Sequence, residues 1–367
     1  MSEGDDKFDS EADATILACL NVEKPRSFFL YAGAGSGKTR SLVEAVRTVC
    51  KEQGRRLSLS GQKIGVITYT NAACDEIKQR LEFDPRVEVS TIHAFAWSLI
   101  AGYDGDIRGW LSTRLLADIA ELEEAQAKGR ANSKAASDRA RSIESKRRRR
   151  ENLAGISRFV YSPTGDNRTR DSLSHAEVIS MTADFLGAKP GLRRLLVSRF
   201  PILLIDESQD TNRRLMDALL DVEAGYRETF CLGLFGDTMQ RIYADGKERL
   251  VEAIPHAWAR PRKRMNHRCP TRVITLINKI RRDEDGEEQL PRGDAERGVV
   301  RLFVVSQAIA DRSAAEAAVA ARMAEITGDP SWAEGAEAIK TLALEHLMSA
   351  RRFGFEQFFE PLYAVER

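Results

Sequence analysis

The chain has 367 residues, 43% of them hydrophobic and 30% charged, a length for two or three ordinary domains and a balance that excludes disordered and fibrous classes. With 56 Lys and Arg against 55 Asp and Glu, a nucleic-acid contact has to come from local patches, because the whole is not a polycation. Cys19, Cys50, Cys74, Cys231 and Cys269 form no CxxC pair, no apolar run reaches the roughly 18–20 residues of a membrane span, and the acidic N-terminus is no signal peptide; reduced thiols, no membrane partner and a cytoplasmic location are the expectation.

Ser27 to Tyr31 reads as a buried strand, followed by a glycine-rich turn and a helix from about Lys38. Lys63 to Tyr69 is a second strand, and Asn71 to Leu81 a helix with Ala73, Ile77 and Leu81 on one face. The stretch 104–200 breaks this rhythm. Leu115, Leu116, Ile119 and Leu122 fall at helical spacing, and a polar stretch then ends in Arg139, Arg141 and the run Lys146–Arg150. It reads as a mostly helical insertion whose basic run either touches DNA or forms a solvated linker helix. Pro201 to Ile205 and Phe230 to Phe235 are further strands, each running into acidic and amide residues. After Pro261 come a helix at 271–282, a strand Val299–Val305, a helix Ala314–Ile326 and a strand Ile339–Leu344. Alternating strands and helices predict an α/β fold with a parallel sheet. The expected domains are 1–103 with 201–260, an insertion 104–200, and an unfinished second α/β unit 261–367.

Tyr31-Ala-Gly-Ala-Gly-Ser-Gly-Lys-Thr39, between strand and helix, is a P-loop with Ala32 at its first glycine position. Gly33, Gly35 and Gly37 let the backbone curl so that N–H groups face a phosphate, aided by the helix N-terminus. Lys38 is placed for the β- and γ-phosphates and the Thr39 hydroxyl for Mg2+. The nucleotide-binding set is Ala32, Gly33, Ala34, Gly35, Ser36, Gly37, Lys38, Thr39 and Arg40. Leu203-Leu-Ile-Asp-Glu-Ser-Gln-Asp210 supplies the acids: Asp206 for Mg2+ through water and Glu207 as general base. A polar helix start is the structural alternative for this pair.

These blocks and four others resemble the UvrD/Rep-like branch of superfamily 1 DNA helicases: Ile67-Thr-Tyr-Thr-Asn-Ala-Ala-Cys-Asp-Glu-Ile-Lys-Gln-Arg80, Ser90-Thr-Ile-His-Ala-Phe95, Phe235-Gly-Asp-Thr-Met-Gln-Arg-Ile-Tyr243 and Met265-Asn-His-Arg268. The resemblance implies RecA-like domains, ATP with Mg2+ as cofactor, and ATP-driven 3′→5′ movement on single-stranded DNA. It gives catalytic roles to Glu207, to Gln240 as γ-phosphate sensor and to Arg268 as arginine finger. It assigns DNA to Tyr69, Thr70, Asn71, Thr91, His93 and Tyr243, with Tyr69 stacking on a base. A core role for Tyr69, a packed His93 and a surface Arg268 are the structural alternatives. Three departures stand out. Phe8 to Ala18 holds no glutamine to read adenine, Ala244-Asp-Gly-Lys247 replaces an aromatic-RGA continuation, and the blocks TxHxxKGLE and YVAxTRA do not occur before Arg367. The chain alone is therefore expected to bind ATP, hydrolyse it slowly and unwind nothing. The alternative is a nucleotide- and DNA-sensing regulatory subunit of a nuclease or antiviral defence complex.

Overall fold

The apolar runs of the sequence assemble into one parallel sheet in the computed structural model of the protein. It describes residues 9–130, 133–163, 169–240, 246–247, 250–282, 285–306, 308, 311–333, 339–342 and 345–366. These residues fall into two compact units, 1–296 and 297–367.

In the first unit the strands are β1 (Phe28–Ala32), β2 (Ile64–Thr68), β3 (Val87–Thr91), β4 (Ile202–Ile205), β5 (Cys231–Gly236) and β6 (Arg262–Lys263). Their order is β3-β2-β4-β5-β1-β6, and every pairing is parallel. Parallel neighbours need crossovers, and helices supply them: α1 (Ser10–Cys19) precedes β1, α2 (Lys38–Leu59) follows it, and α3 (Asn71–Arg80) follows β2. Helices α4 (Ile92–Ile100), α5 (Asp104–Lys128), α6 (Lys134–Asn152), α7 (His175–Ala188) and α8 (Pro190–Arg199) lie between β3 and β4, and α9 (Arg213–Tyr226) between β4 and β5. This is the RecA-like arrangement, with β5 between the two strands that carry the P-loop and the acidic pair.

Both faces of the sheet are covered, so its central strands are apolar on both sides. Phe29, Ile67, Leu203, Ile205, Leu232 and Leu234 point to one face, in a core shared with α4, α5, α7 and α9. Phe28, Leu30, Val66, Ile202, Leu204 and Phe235 point to the other, against Leu42 and Val46 of α2 and Ile77 of α3. Alternate residues of one strand thus serve opposite faces. The helical character of 104–200 holds, but α7 is no appendage. Its Val178, Met181, Phe185 and Leu186 belong to the sheet's own core, and Ser174 and Glu177 form a capping box at its start. The basic run lies on α6 and is largely neutralised at home. Lys146 pairs with Asp118 at 2.7 Å, Arg147 with Glu123, Arg148 with Glu144 at 3.7 Å and Arg149 with Glu177 at 2.6 Å.

Three elements differ from expectation. Edge strand β3 was not foreseen, because Glu88 and Ser90 alternate with Val87 and Val89 in a half-buried strand. In the second unit, 299–306 and 339–342 form no strand, and Leu302 and Val304 are each 88% exposed. An apolar run becomes a strand only where a partner pairs with it, and none does so among the described residues. The unit is built of α10 (Arg312–Thr327), α11 (His346–Arg352) and α12 (Glu356–Glu366).

Gly233 in β5 marks how tightly the sheet is filled: a Cβ there would lie 2.6 Å from both Leu204 Cδ2 and Phe28 Cζ. Gly233→Ala is expected to destabilise the protein by about 1–3 kcal/mol through overpacking, read as a lowered urea midpoint at unchanged m-value.

Candidate functional site

The P-loop bends where its glycines permit. Gly35 (φ +77°) and Gly37 (φ +83°) are left-handed, and Gly37 caps α2, a conformation that costs other L-residues roughly 1–2 kcal/mol. Ser36 locks the turn, its hydroxyl donating to the Gly33 carbonyl at 2.7 Å. Lys38, at the first position of α2, is buried, and its Nζ donates to Glu207 Oε2 at 3.2 Å. Thr39 Oγ1 lies 3.5 Å from Asp206 Oδ2. Lys38, Thr39, Asp206 and Glu207 thus meet at the carboxyl ends of β1 and β4, while Arg40 is exposed beside them.

Asp206 is only 6% exposed. Burial, with the neighbouring Glu207 charge, raises its pKa to about 6 in spite of Lys38. A carboxylate so costly to ionise gains from a cation, and the Thr39 hydroxyl beside it is a second hard oxygen, so the pair fits Mg2+. Among the described residues no group of three or more His, Cys, Asp or Glu could hold a metal, which leaves phosphate and water to complete such a shell. Glu207 sits at φ +50°, a strained conformation for a non-glycine residue. Lys38 and the Gln209 amide, at 2.8 Å, hold its carboxylate.

The third cluster lies at the end of β5. Gln209 Oε1 accepts from the Asp237 backbone N–H at 3.2 Å, and Asp237 Oδ2 accepts from Gln240 Nε2 at 2.6 Å and Arg281 Nη1 at 3.0 Å. Burial opposes the ionisation of Asp237, but the bonds from Arg281 and Gln240 outweigh it and hold the pKa below the usual value. Arg281 belongs to α13 (Thr271–Arg282, in chain order between β6 and α10) and also pairs with Asp285 at 2.6 Å. Gln240 is therefore joined to the acidic pair through Asp237 and Gln209, not directly. Sequence reasoning passed over Arg281, which looks like its neighbours Lys279 and Arg282. The one local signal was an acid four residues on, at Asp285. Arg268 is exposed, but the Cβ of Arg268 lies 3.0 Å from where a Cβ on Gly35 would stand.

Residues 17–245 match the family profile of the AAA domain. The chain belongs to the AAA domain family. Within it, the motifs are those of the UvrD/Rep-like helicase type. The Gabija protein GajB of Bacillus cereus (strain HuB5-5) is 25% identical in an alignment of 359 positions that covers 80% of this chain and 52% of that protein. The chain spans about half the length of this curated relative.

Of the residues that the UvrD/Rep-like resemblance links to DNA, Tyr69, Thr70, Asn71, Thr91 and His93 lie at the carboxyl ends of β2 and β3, on the edge of the sheet that carries the P-loop. Tyr69 is half-buried at the end of β2. Thr70 Oγ1 caps α3 by accepting from Ala73 N–H at 3.1 Å, and Thr91 Oγ1 caps α4 by accepting from Ala94 N–H at 3.3 Å. A hydroxyl that accepts in a cap still has its own proton to donate. Asn71 is exposed at the start of α3. The His93 ring lies 5.0 Å from that of His175, whose Nδ1 shares a hydrogen bond with the Tyr161 hydroxyl. Tyr243 lies outside the described residues. No helix among the described residues is long and apolar enough to cross a membrane.

Arg281→Ala is expected to destabilise the protein by about 3–5 kcal/mol at neutral pH, by leaving the buried Asp237 charge without its cation. The depressed Asp237 pKa contributes stability above the unfolded carboxylate pKa of roughly 4, which is lost as pH falls through the folded value. The gap between variant and wild type should therefore narrow on acidification, as urea unfolding across that range would read.

Proposed function

We propose that the chain is the ATP-driven motor portion of a UvrD-like DNA helicase or translocase that moves 3′→5′ on single-stranded DNA. The observation that carries this reading is the meeting of Lys38, Thr39, Asp206 and Glu207 at one sheet edge. Residues Ala32 to Arg40 take the triphosphate, and Thr39 and Asp206 hold Mg2+, which when bound neutralises phosphate oxygens. Lys38 is engaged by Glu207, so phosphates compete for it. Its transfer to them frees Glu207 to accept a proton from the attacking water. Gln240 senses the γ-phosphate, and Arg268 offsets charge developing in the transition state. Tyr69, Thr70, Asn71, Thr91, His93 and Tyr243 bind the strand. On this reading 1–103 and 201–260 are the first RecA-like domain, 104–200 an insertion, and 261–367 the start of a second domain whose leading residues border the phosphate site.

The likeness to a Gabija protein favours a second reading: a nucleotide- and DNA-sensing subunit that regulates a nuclease in an antiviral defence complex without unwinding. Strand separation coupled to ATP turnover supports the motor. Nucleotide-dependent binding to a nuclease without unwinding supports the sensor.

Lys38→Ala should weaken ATP binding by about 10- to 100-fold, the loss of a charge-assisted contact. Glu207→Gln should keep binding and abolish hydrolysis. Calorimetric titration and phosphate release read both, and undiminished ATP affinity in Lys38→Ala would overturn the site.

Affinity for single strands should fall steeply with salt. Tyr69→Ala should weaken it by about 1–3 kcal/mol with little change in the salt slope. A Tyr69 that serves the core instead predicts a lower melting temperature and normal DNA binding by the folded variant.

A further inference from the structure

The phosphate loop is gripped from outside by residues more than two hundred positions along the chain. Asn266, in β7 (Met265–Asn266), and Gln289, just before β8 (Leu290–Pro291), both donate to the Ala34 carbonyl, at 3.1 and 3.0 Å. Asn266 Nδ2 also donates to Gln289 Oε1 at 2.9 Å. Both side chains are almost wholly buried, at 0% and 3% exposure. Gln289 is itself anchored: Asn278 of α13 accepts from its backbone N–H at 2.9 Å and donates to its carbonyl at 2.8 Å. The other end of Asn266 accepts from the backbone N–H groups of Arg268 and Cys269, each at 2.9 Å.

Peptide geometry gives this grip a consequence. The Ala34 carbonyl and the Gly35 N–H belong to one planar peptide, and the described chain has no cis bonds, so the two groups point in opposite directions. Two amides that hold the carbonyl on the outside therefore aim the Gly35 N–H away from themselves, toward the hollow in which successive N–H groups receive an anion. The next carbonyl, that of Gly35, is held as well, by His267 N–H at 2.9 Å. The glycines carry the imprint of the contact. Gly33 has no left-handed φ, yet a Cβ on it would fall 2.2 Å from Gln289 Nε2, and a Cβ on Gly35 would fall 2.7 Å from Asn266 Oδ1. Gly33 answers to the clearance that Gln289 needs, not to a backbone angle.

We propose that Asn266 and Gln289 are positioning residues that preset the Ala34–Gly35 peptide for phosphate and tie the loop to the segment carrying Arg268. This rests on the nucleotide reading above. It acts on phosphate alone, so ATP and pyrophosphate should respond together.

The test is calorimetric titration of the folded chain with ATP and with pyrophosphate, Mg2+ present, for wild type and Gln289→Met, which keeps the volume and removes the Gln289 amide, both its donor and its acceptor. The expected result is a fall of about tenfold in affinity for both ligands. A purely structural Gln289 would lower the unfolding midpoint and leave both affinities of the folded variant unchanged, and that result overturns the proposal. Should Gln289→Met fail to fold, Asn278→Ala loosens Gln289 without touching the loop; it should weaken both ligands in the same direction, and unchanged affinities would again overturn the proposal. Wild type that binds neither ligand counts against the nucleotide site itself. Wild type that binds both, beside an unaffected variant, counts against the clamp alone.

Discussion

Lys38, Asp206, Asp237 and Arg281 are ionisable residues almost wholly buried at the carboxyl edge of the sheet. An isolated ion in such a place costs several kcal/mol, so each needs a partner in good geometry. Lys38 has Glu207, and Arg281 has Asp237 and Asp285. Asp206 is the least satisfied. Its Oδ1 accepts from the Glu207 backbone N–H at 3.1 Å, the Thr39 hydroxyl stands 3.5 Å from its Oδ2, and burial still raises its pKa. The position where the protein itself provides least is where a cation gains most.

The same edge explains why the loops after β1, β4 and β5 cannot vary independently. Gln209 touches Glu207 with its amide nitrogen and the Asp237 backbone with its oxygen, so one side chain spans two strand ends. Asn266 does the same between the P-loop and the Arg268 segment. Amides suit these places because each offers donors and an acceptor without a charge to neutralise. Short chains of hydrogen bonds thus connect the phosphate loop with Gln240 and with the Arg268 backbone. The strained backbone of Glu207 is held within the same network.

Much of this was legible in the residues. Apolar runs at 28–32, 64–68, 202–205 and 231–236 are strands because they are buried on both faces and carry no competing helical period. The P-loop and the acidic pair could be placed on strand ends from local order alone. Strand β3 was hidden by its polar alternation. The runs at 299–305 and 339–342 have strand character but no strand partner among the described residues, which no local pattern discloses. The basic run on α6 looked like an open patch until α5 and α7 brought Asp118, Glu123 and Glu177 against it.

The sequence by itself determined the chemistry available: which residue types stand at the ends of which strands, and that glycine, lysine, threonine and two acids occur in the order a phosphate site requires. Those are properties of neighbours in the chain, set by sterics and by hydrogen-bonding capacity over a few residues. The tertiary structure alone decided the partners. That Arg281 neutralises Asp237 at 3.0 Å, that Gln289 holds the Ala34 carbonyl at 3.0 Å, and that Lys38 is held by Glu207 at 3.2 Å all depend on bringing together groups tens to hundreds of residues apart. Distance in space, and not order in the chain, sets the strength of those contacts.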